Sequence, residues 1–355
     1  MTMLSYDVVE WGQALEKREH TTPTPKGTEV LVKLKYCGVC HSDVHIRDGY
    51  FDLGGGKRLH MSERGMQPPV TLGHEPYGTV IAAGPDAPSA MDAPIGADRL
   101  IFPWIGCGAC ARCREGLDND CMAPNMIGIQ RPGGYADHLL VPHPRYLVGA
   151  SGIDPVWAAT LSCSGLSTYS ALSKLKPIPR DEWVAVMGAG GLGLSAIGML
   201  RAFGHERIVS IDIDSAKSQA AEAAGAAAVM NSRDGDAAQR LKQFTGGALY
   251  GAVDFVGSSD TANLALSALR KGGKLILVGL FGGEMQLSIA STILRAITVQ
   301  GSHLGSVEEL KAVVTLARRG KIKPIPIQTR PLAEVSRTLD ELKAGSVIGR
   351  VVAQI

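Results

Sequence analysis

Short apolar segments separated by turn residues dominate the first 150 or so residues of the chain. Residues 30–36 alternate apolar and polar positions at their C-terminal end, and residues 80–83 and 99–102 are further short apolar runs. Such runs predict strands, and proline-rich stretches such as residues 67–69 predict the connections between them. This part of the chain is therefore predicted to be an all-β, barrel-like domain.

The pattern changes near Pro155. Residues 158–172 predict a helix, and residues 183–187 form a continuous apolar run typical of a buried parallel strand. Further strands are predicted at 207–211, 252–256 and 274–278, with helices starting at Leu192, Ser215 and Thr261. This alternation predicts an α/β domain with a doubly wound parallel sheet. Amphipathic helices are predicted at 307–318 and 333–343, and a last strand from Arg350 is expected to return to the first domain.

Composition narrows the possible functions. A chain of 355 residues is long enough for two domains, and its 36 basic and 34 acidic residues give a net charge of +2 without a long run of one sign. Nothing therefore points to nucleic acid or to an anionic membrane as a partner. No segment approaches twenty uninterrupted apolar residues, and the N-terminus lacks the features of a secretory signal. We expect a cytoplasmic protein with reduced thiols.

Four of the seven cysteines lie close together, at the spacing C-x2-C-x2-C-x7-C. Overlapping C-x-x-C pairs bring thiolates to one side of a turn, and a fourth sulfur completes a tetrahedral shell for Zn²⁺. Such a shell has no open position for a substrate, so it predicts a structural zinc site. Disulfides or buried thiols are the alternative, and disulfides would require an oxidising compartment. The four residues are Cys107, Cys110, Cys113 and Cys121.

A glycine-rich loop follows the first buried strand and opens a helix. Gly188, Gly190 and Gly193 fit the pattern G-x-G-x-x-G, with Gly191 and Leu192 between them. This pattern lets the backbone approach a pyrophosphate at a helix N-terminus. Asp212 ends the next predicted strand, where a carboxylate accepts ribose hydroxyls and repels a 2′-phosphate, so NAD is favoured over NADP. Asp212 as a plain turn residue remains an alternative.

Lys217 lies one turn into the following predicted helix. Two interpretations of its side chain stay open, a contact to the ribose or a position on a solvated helix face.

A second metal site is predicted from residues far apart in the sequence. Cys40, His74 and Cys163 offer two thiolates and one imidazole, which is a catalytic zinc site with one exchangeable position. A zinc there would lower the pKa of a bound alcohol, so that an alkoxide forms near neutral pH and gives hydride to a nicotinamide. From spacing alone, buried core residues remain an alternative for each of the three.

The chain resembles the zinc-dependent alcohol dehydrogenases of the medium-chain dehydrogenase/reductase family. The segments that carry the resemblance are residues 38–43, 73–75, 107–121, 133–136 and 163–169 and the glycine-rich loop. The resemblance implies a GroES-like catalytic domain of residues 1–162 and 304–355 and a Rossmann NAD-binding domain of residues 163–303. It places the active site in the cleft between them.

The resemblance also implies roles for individual residues. Cys40, His74 and Cys163 match the catalytic zinc ligands, Asp43 and Glu75 match carboxylates that orient them, and Glu75 is a candidate transient ligand. Ser42 matches the hydroxyl that takes the substrate proton, and His45 matches the histidine that passes it to solvent. His41 and Arg350 match pyrophosphate contacts, and Ser167, Val278 and Leu280 fall near the nicotinamide.

Two features fit the family pattern less well. Cys37 has no partner, and we expect it to be a small buried residue in a strand. The gap of 33 residues between Cys40 and His74 is longer than relatives usually have, and its extra part, from Tyr50 to Met66, is predicted to be a loop. Our hypothesis is that this insertion covers the substrate cleft and favours bulky cyclic or aromatic alcohols. A surface insertion or subunit contact is the alternative, and Trp104 is a candidate pocket wall.

The leading hypothesis is a zinc- and NAD-dependent alcohol dehydrogenase. A polyol, sugar or amino-alcohol dehydrogenase with the same machinery is the closest alternative. A zinc-ribbon binding module predicts a basic surface and no nucleotide loop, and the sequence contradicts both. A zinc-free quinone or enoyl reductase would lack the cysteines. By resemblance to microbial family members, a homotetramer is favoured over a homodimer.

Overall fold

The computed structural model describes residues 2–88 and 94–355, and the chain folds around two sheets with a cleft between them. The elements of the first part are β1 (Thr2–Val8), β2 (Glu16–Thr21), β3 (Val30–Val39), α1 (His41–Asp48), β4 (Tyr50–Gly54), β5 (Lys57–His60), β6 (Val70–Thr71), β7 (Glu75–Ala83), β8 (Asp98–Ile101), α2 (Ala111–Arg114), β9 (His138–Val141) and β10 (Leu147–Val148).

The second part begins with α3 and runs to the C-terminus. Its elements are α3 (Pro155–Thr160), α4 (Leu166–Leu175), β11 (Trp183–Met187), α5 (Gly191–Ala202), β12 (Ile208–Asp212), α6 (Ser218–Ala224), β13 (Ala228–Asn231), α7 (Ala237–Phe244), β14 (Leu249–Asp254), α8 (Ser259–Ala268), β15 (Lys274–Leu277), α9 (Ile289–Arg295), β16 (Thr298–Gly301), α10 (Val307–Arg318), β17 (Ile327–Pro331), α11 (Val335–Lys343) and β18 (Arg350–Gln354).

The first sheet runs in the order β10-β8-β7-β3-β18-β17, and β9 also pairs with β3. Its pairs are antiparallel except for β17 and β18. The last strand of the chain pairs with β3, with Val351 opposite Val39, so the C-terminus completes the first domain as the sequence predicted. This pairing brings Arg350 next to the active-site region of β3 and β7.

The second sheet is parallel and runs in the order β13-β12-β11-β14-β15-β16. Its central strands are buried on both faces, with Val184, Ala185 and Val186 fully inaccessible to solvent. The predicted doubly wound sheet is confirmed. The residue at which one domain gives way to the other stays a prediction. In the described ranges, no helix is both long and apolar enough to cross a bilayer.

The helix predicted for residues 158–172 is interrupted. A π-helical turn, Leu161–Gly165, separates α3 from α4 and contains Cys163. A π-turn adds a residue to the helical ladder and reorients the side chains around it, and such turns occur often at functional sites. The apolar periodicity of the segment correctly predicts helical structure. It does not reveal the π-turn, because a one-residue change in helical register does not alter the pattern detectably.

The prediction that residues 50–66 form a loop is wrong. Strands β4 and β5 form an antiparallel hairpin, with Tyr50 opposite His60, and a 3₁₀ turn, Met61–Arg64, follows. Gly54, Gly55 and Gly56 adopt φ values of +81°, +56° and +75° and so form only the tip of the hairpin. The C-terminal end of the segment is held in the core of the first domain, where Met61 and Met66 are buried.

Candidate active site and metal centres

Helix α1 brings several predicted active-site residues to one place. The helix begins after Cys40, whose backbone amide donates to Asp43 Oδ2 at 3.1 Å, and it ends at Gly49 in the left-handed region. The side of α1 that faces the cleft between the two sheets carries His41, Ser42 and His45.

The glycine-rich loop has little room for side chains. A Cβ at Gly193 would overlap the carbonyl oxygen of Gly188, and one at Gly191 would overlap the Arg350 side chain. Gly188 also requires a positive φ, +89°. Gly190, by contrast, has no atom within 4 Å of its missing Cβ in the part of the chain that the structure describes, so its backbone is open to a ligand. The loop and the first turn of α5 line the cleft, which is the arrangement that holds a pyrophosphate.

Asp212 ties the glycine-rich loop to the end of β12. Its Oδ2 accepts the Ala189 amide at 2.7 Å, and its Oδ1 accepts the Asp214 amide at 3.0 Å. Lys217 Nζ lies 3.7 Å from Asp212 Oδ1, with only 15% of its side chain exposed. Both side chains line the cleft. Lys217 therefore lies beside Asp212, in a 3₁₀ turn, and not on a solvated helix face.

The structure gathers nearly all the predicted cofactor residues in the one cleft. Ser167 is the exception, because it is buried in α4 at 5% exposure and does not line the cleft. Phe255, Val256 and Phe281 also line the cleft, although the sequence pattern did not predict them. The first two follow β14, and ligands of doubly wound folds bind at the carboxyl ends of strands, so that rule could have found them. The predicted residues in the lining are His41, Gly188, Gly190, Gly191, Leu192, Gly193, Asp212, Lys217, Val278, Leu280 and Arg350.

Cys40, His74 and Cys163 converge although 123 positions separate the two cysteines. All three are buried, and their ligand atoms, with a carboxylate oxygen of Glu75, lie within 4.8 Å of one another. The two Sγ atoms are 3.9 Å apart. Two thiolates on a tetrahedral zinc with bonds of about 2.3 Å would be about 3.8 Å apart, so the spacing fits this metal.

An unpartnered ring nitrogen and a lowered thiol pKa also point to a metal in this cluster. His74 Nδ1 is 3.0 Å from Asp43 Oδ1, while His74 Nε2 is buried without any hydrogen-bond partner in the described part of the chain. A buried ring nitrogen left without a partner costs free energy unless a ligand occupies it. A hydrogen bond from Cys163 lowers the pKa of the Cys40 thiol and so favours the thiolate that a metal requires.

Asp43 holds the residues of the cluster in place through hydrogen bonds. Besides His74, its carboxylate accepts hydrogen bonds from the Cys40 amide and, at 2.8 Å, from the Tyr135 hydroxyl. A ligand histidine held by a carboxylate in this way keeps one tautomer and one orientation. Tyr135 had no predicted role. Trp104, a predicted pocket wall, instead packs its ring 5.1 Å from that of His74 and donates to the Ser162 carbonyl.

Glu75 and Arg350 connect the metal cluster to the nucleotide loop. Arg350 Nη2 donates to Glu75 Oε1, and Glu75 Oε2 has no partner among the described residues. Burial raises the pKa of Glu75 to about 7, against the opposing charge of Arg350. The Arg350 side chain also lies against Gly191. One buried ion pair therefore reaches both the cysteine cluster and the phosphate cradle.

The four clustered cysteines form a second group of converging ligand atoms, also within 4.8 Å of one another. The Sγ–Sγ distances are 3.5 Å between Cys110 and Cys113 and 3.8 Å between Cys110 and Cys121. Hydrogen bonds from the amides of Ala109 and Cys110 lower the pKa of Cys107 to about 6. A group of four sulfurs fits a closed zinc site.

Cys37 lies apart from both cysteine groups. It is fully buried in β3, as predicted, and it packs against Gly134. Burial raises the pKa of its thiol well above the usual value, so the group is a neutral, unreactive part of the core.

Comparison with known proteins gives the same order of parts. Residues 26–151 match the alcohol dehydrogenase GroES-like domain, and residues 191–319 match the zinc-binding dehydrogenase domain. The NAD-dependent alcohol dehydrogenase of Sulfurisphaera tokodaii is 34% identical over 351 residues, which are 99% of each chain.

Solved structures extend the likeness to the whole fold. The alcohol dehydrogenase of Aeropyrum pernix superposes with a TM-score of 0.89 at 28% identity, covering 99% of this chain and all of that one. The D-arabinose dehydrogenase of Sulfolobus solfataricus superposes with a TM-score of 0.84 at 27% identity, over the full length of both chains. From these matches and the site geometry, the chain belongs to the zinc-binding alcohol dehydrogenases of the medium-chain dehydrogenase/reductase family.

Proposed function

We propose that this protein oxidises alcohols to aldehydes or ketones, and catalyses the reverse reaction, with NAD as the hydride carrier. The observation that carries the proposal is the position of Cys40. It belongs to the Cys40–His74–Cys163 cluster and also lines the cleft that contains the glycine-rich loop. A zinc held by those three residues would polarise the alcohol oxygen and lower its pKa. Glu75, the fourth member of the cluster, is the proposed transient ligand.

Ser42 and His45 supply the proposed route for the alcohol proton. They lie three positions apart on α1, so their side chains share one face of the helix, and both line the cleft. Desolvation by burial lowers the pKa of His45, so its ring is neutral near pH 7 and free to accept a proton. The Ser42 hydroxyl both accepts and donates, which suits it to stand between the substrate and His45.

The remaining cleft residues bind the dinucleotide in this proposal. His41 and Arg350 contact the pyrophosphate at the glycine-rich loop, and Val278 and Leu280 lie against the nicotinamide. Asp212 accepts the adenosine ribose hydroxyls and disfavours the 2′-phosphate of NADP through charge repulsion, with Lys217 beside it. Ser167 stays a predicted neighbour of the nicotinamide, with its side chain buried and outside the lining of the cleft.

A cofactor and substrate panel tests the function. We expect alcohol-dependent reduction of NAD, followed by absorbance at 340 nm, with NADP at least about tenfold less efficient because of Asp212. Zinc analysis should give two ions per chain. A protein without zinc at Cys40, or one that reduces no nicotinamide cofactor with any alcohol, would contradict the proposal. A higher kcat/KM for vicinal diols or sugars than for simple alcohols would favour the polyol or sugar alternative.

The hairpin of β4 and β5 is proposed to cover the substrate side of the cleft. Its tip reaches the loop after β15, where a Cβ on Gly54 would lie 2.7 Å from the Gly283 carbonyl carbon. A Cβ on Gly282 would lie equally close to Asp52 Cβ. At the base of the hairpin, the Phe51 ring is 5.5 Å from that of His45. The hairpin therefore joins α1 to a loop that lines the cleft, and we propose that it selects for bulky alcohols.

Phe51→Ala should change the ranking of alcohols. Removing the ring beside His45 alters the space next to the proton route, and we expect the kcat/KM ratio of cyclohexanol to ethanol to shift by about tenfold. Leu53→Ala is the matched control, because Leu53 lies on the same strand and is 53% exposed. If the ratio of kcat/KM for cyclohexanol to that for ethanol is the same in Phe51→Ala and the unaltered protein, the proposal is wrong. Deleting the whole hairpin is a poorer test, since Met61 is part of the core.

We also propose a cytoplasmic homo-oligomer, a homotetramer by analogy with microbial relatives. Support for association comes from α9, where Ile289, Ile293 and Leu294 are each more than 70% exposed. This apolar surface adjoins β16, the edge strand of the parallel sheet. Apolar side chains grouped on one face favour burial against another protein surface. A molar mass near 37.4 kDa in solution, that of one chain, would contradict the proposal.

A further inference from the structure

A buried carboxylate in the nucleotide-binding sheet is not used by the reaction proposed above. Asp254 ends β14, is fully inaccessible to solvent and does not line the cleft. It forms no ion pair with any residue that the structure describes, and desolvation by burial raises its pKa. A buried carboxylate without a cation is unfavourable unless hydrogen bonds compensate it. Its partners therefore indicate what it does.

The side chain of Asp254 holds the turn after β14. Its Oδ1 accepts the amides of Val256 and Gly257, both at 2.9 Å, and its Oδ2 accepts the Thr261 hydroxyl at 2.8 Å. Thr261 lies in the first turn of α8, where it also forms a capping box with Ser258. The carboxylate thus fixes the turn to the start of the next helix.

The main chain of Asp254 holds the turn after β15. Its carbonyl oxygen accepts the amides of Val278 and Gly279 at 2.9 and 3.0 Å. The two turns touch, because a Cβ at Gly257 would overlap the Gly279 carbonyl. The Gly282 amide donates to the Gly257 carbonyl at 3.0 Å, which continues the contact. One residue therefore fixes both turns relative to each other.

These two turns form one wall of the cleft, lined by Phe255, Val256, Val278, Gly279, Leu280 and Phe281. In the sheet, β14 and β15 lie on the opposite side of β11 from β12, which carries Asp212. If the adenosine is over β12 and the pyrophosphate at the loop after β11, the wall faces the remaining half of the dinucleotide, the nicotinamide.

We propose that Asp254 is a positioning residue for the nicotinamide half of NAD, acting through the turns at Val256–Gly257 and Val278–Gly279. It does not touch the cofactor itself. The inference rests on the proposed function, because it requires a dinucleotide in this cleft. It assigns the buried carboxylate a purpose beyond packing, since that group accepts two amides and a hydroxyl while the main-chain carbonyl of the same residue accepts two more amides.

Binding of two ligands separates this role from a general effect on the fold. NADH contains the nicotinamide ring, whereas ADP-ribose has the adenosine, the pyrophosphate and the second ribose but lacks that ring. For Thr261→Val, which removes one bond to the carboxylate, we expect the Kd of NADH to rise about tenfold, with the Kd of ADP-ribose unchanged within about twofold. Thr261→Ser should restore NADH binding, since its hydroxyl can still donate to Asp254. Asp254→Asn should shift NADH binding in the same direction as Thr261→Val.

Ser258→Ala is the matched control, because it removes the cap of α8 but leaves the Asp254–Thr261 bond. It should bind both ligands normally. If Thr261→Val and Asp254→Asn weaken the binding of NADH and ADP-ribose equally, or weaken neither, the role proposed for Asp254 is wrong. The proposed function would not be affected by that result. Failure of the unaltered protein to bind either ligand would overturn the proposed function, and this inference with it.

Discussion

Replacing Cys163 with alanine is expected to remove one zinc ion per chain and to abolish alcohol oxidation. Cys163 Sγ lies 3.9 Å from Cys40 Sγ, and without it only Cys40 and His74 remain as strong ligands at this cluster. A zinc ion contributes several kcal/mol to stabilising negative charge on the substrate oxygen, so kcat/KM should fall on the order of 10³-fold or more. Elemental analysis and NAD reduction measure the two effects on one preparation.

Cys37→Ala is the control for this variant. Cys37 is also a buried cysteine, but it belongs to neither cysteine group. It should keep two zinc ions and its turnover. If Cys163→Ala retains the full zinc content and turnover, Cys163 is no ligand and the proposed mechanism is wrong. Loss of both zinc ions together would instead show that the two sites are not separate.

The second large effect is expected in the glycine-rich loop, where two glycines serve different purposes. A Cβ at Gly193 would overlap the Gly188 carbonyl oxygen inside the protein, so Gly193→Ala should lower the free energy of unfolding by about 1–3 kcal/mol. NADH binding should weaken with it, because the loop must shift to relieve the overlap. Thermal unfolding and NADH titration report the two changes.

Gly190→Ala should behave differently. No atom of the described residues lies within 4 Å of its missing Cβ, so the melting temperature should stay close to that of the unaltered protein. The new methyl group would stand where the pyrophosphate approaches, and NADH affinity should fall by about tenfold or more. Gly198→Ala on the same helix, α5, is the control, since it also meets no atom and should keep NADH binding. Normal NADH affinity in Gly190→Ala would contradict the position assigned to the pyrophosphate.

The outcome for the glycine-rich loop depends on a feature that can be predicted from the sequence. The spacing of the four clustered cysteines and the G-x-G-x-x-G pattern after an apolar strand are local, so each forms within one turn or one strand–helix unit. The parallel sheet could also be predicted from the sequence, because strands buried on both faces require continuous apolar runs. The returning strand at Arg350 and the amphipathic helix Val307–Arg318 also agree with prediction.

Other features were visible in the sequence only through resemblance to a family. Cys40, His74 and Cys163 lie far apart along the chain, and nothing in their local pattern distinguishes a ligand from a buried core residue. The structure brings their ligand atoms together and leaves His74 Nε2 without a partner in the described part of the chain. Convergence of this kind depends on the pairing of β3 with β7 and on the π-turn at Cys163, and neither is encoded in any short segment.

The sequence by itself determined the classes of structure, the four-cysteine cluster and the nucleotide loop, because these depend on residue type and short spacing. Only the tertiary structure decided how they work together. The Arg350–Glu75 pair spans 275 positions, the insertion is a hairpin that reaches the loop at Gly282, and Asp254 joins two turns that belong to different strands. These contacts arise because distant segments are packed against each other, and the free energy that selects them comes from the whole core.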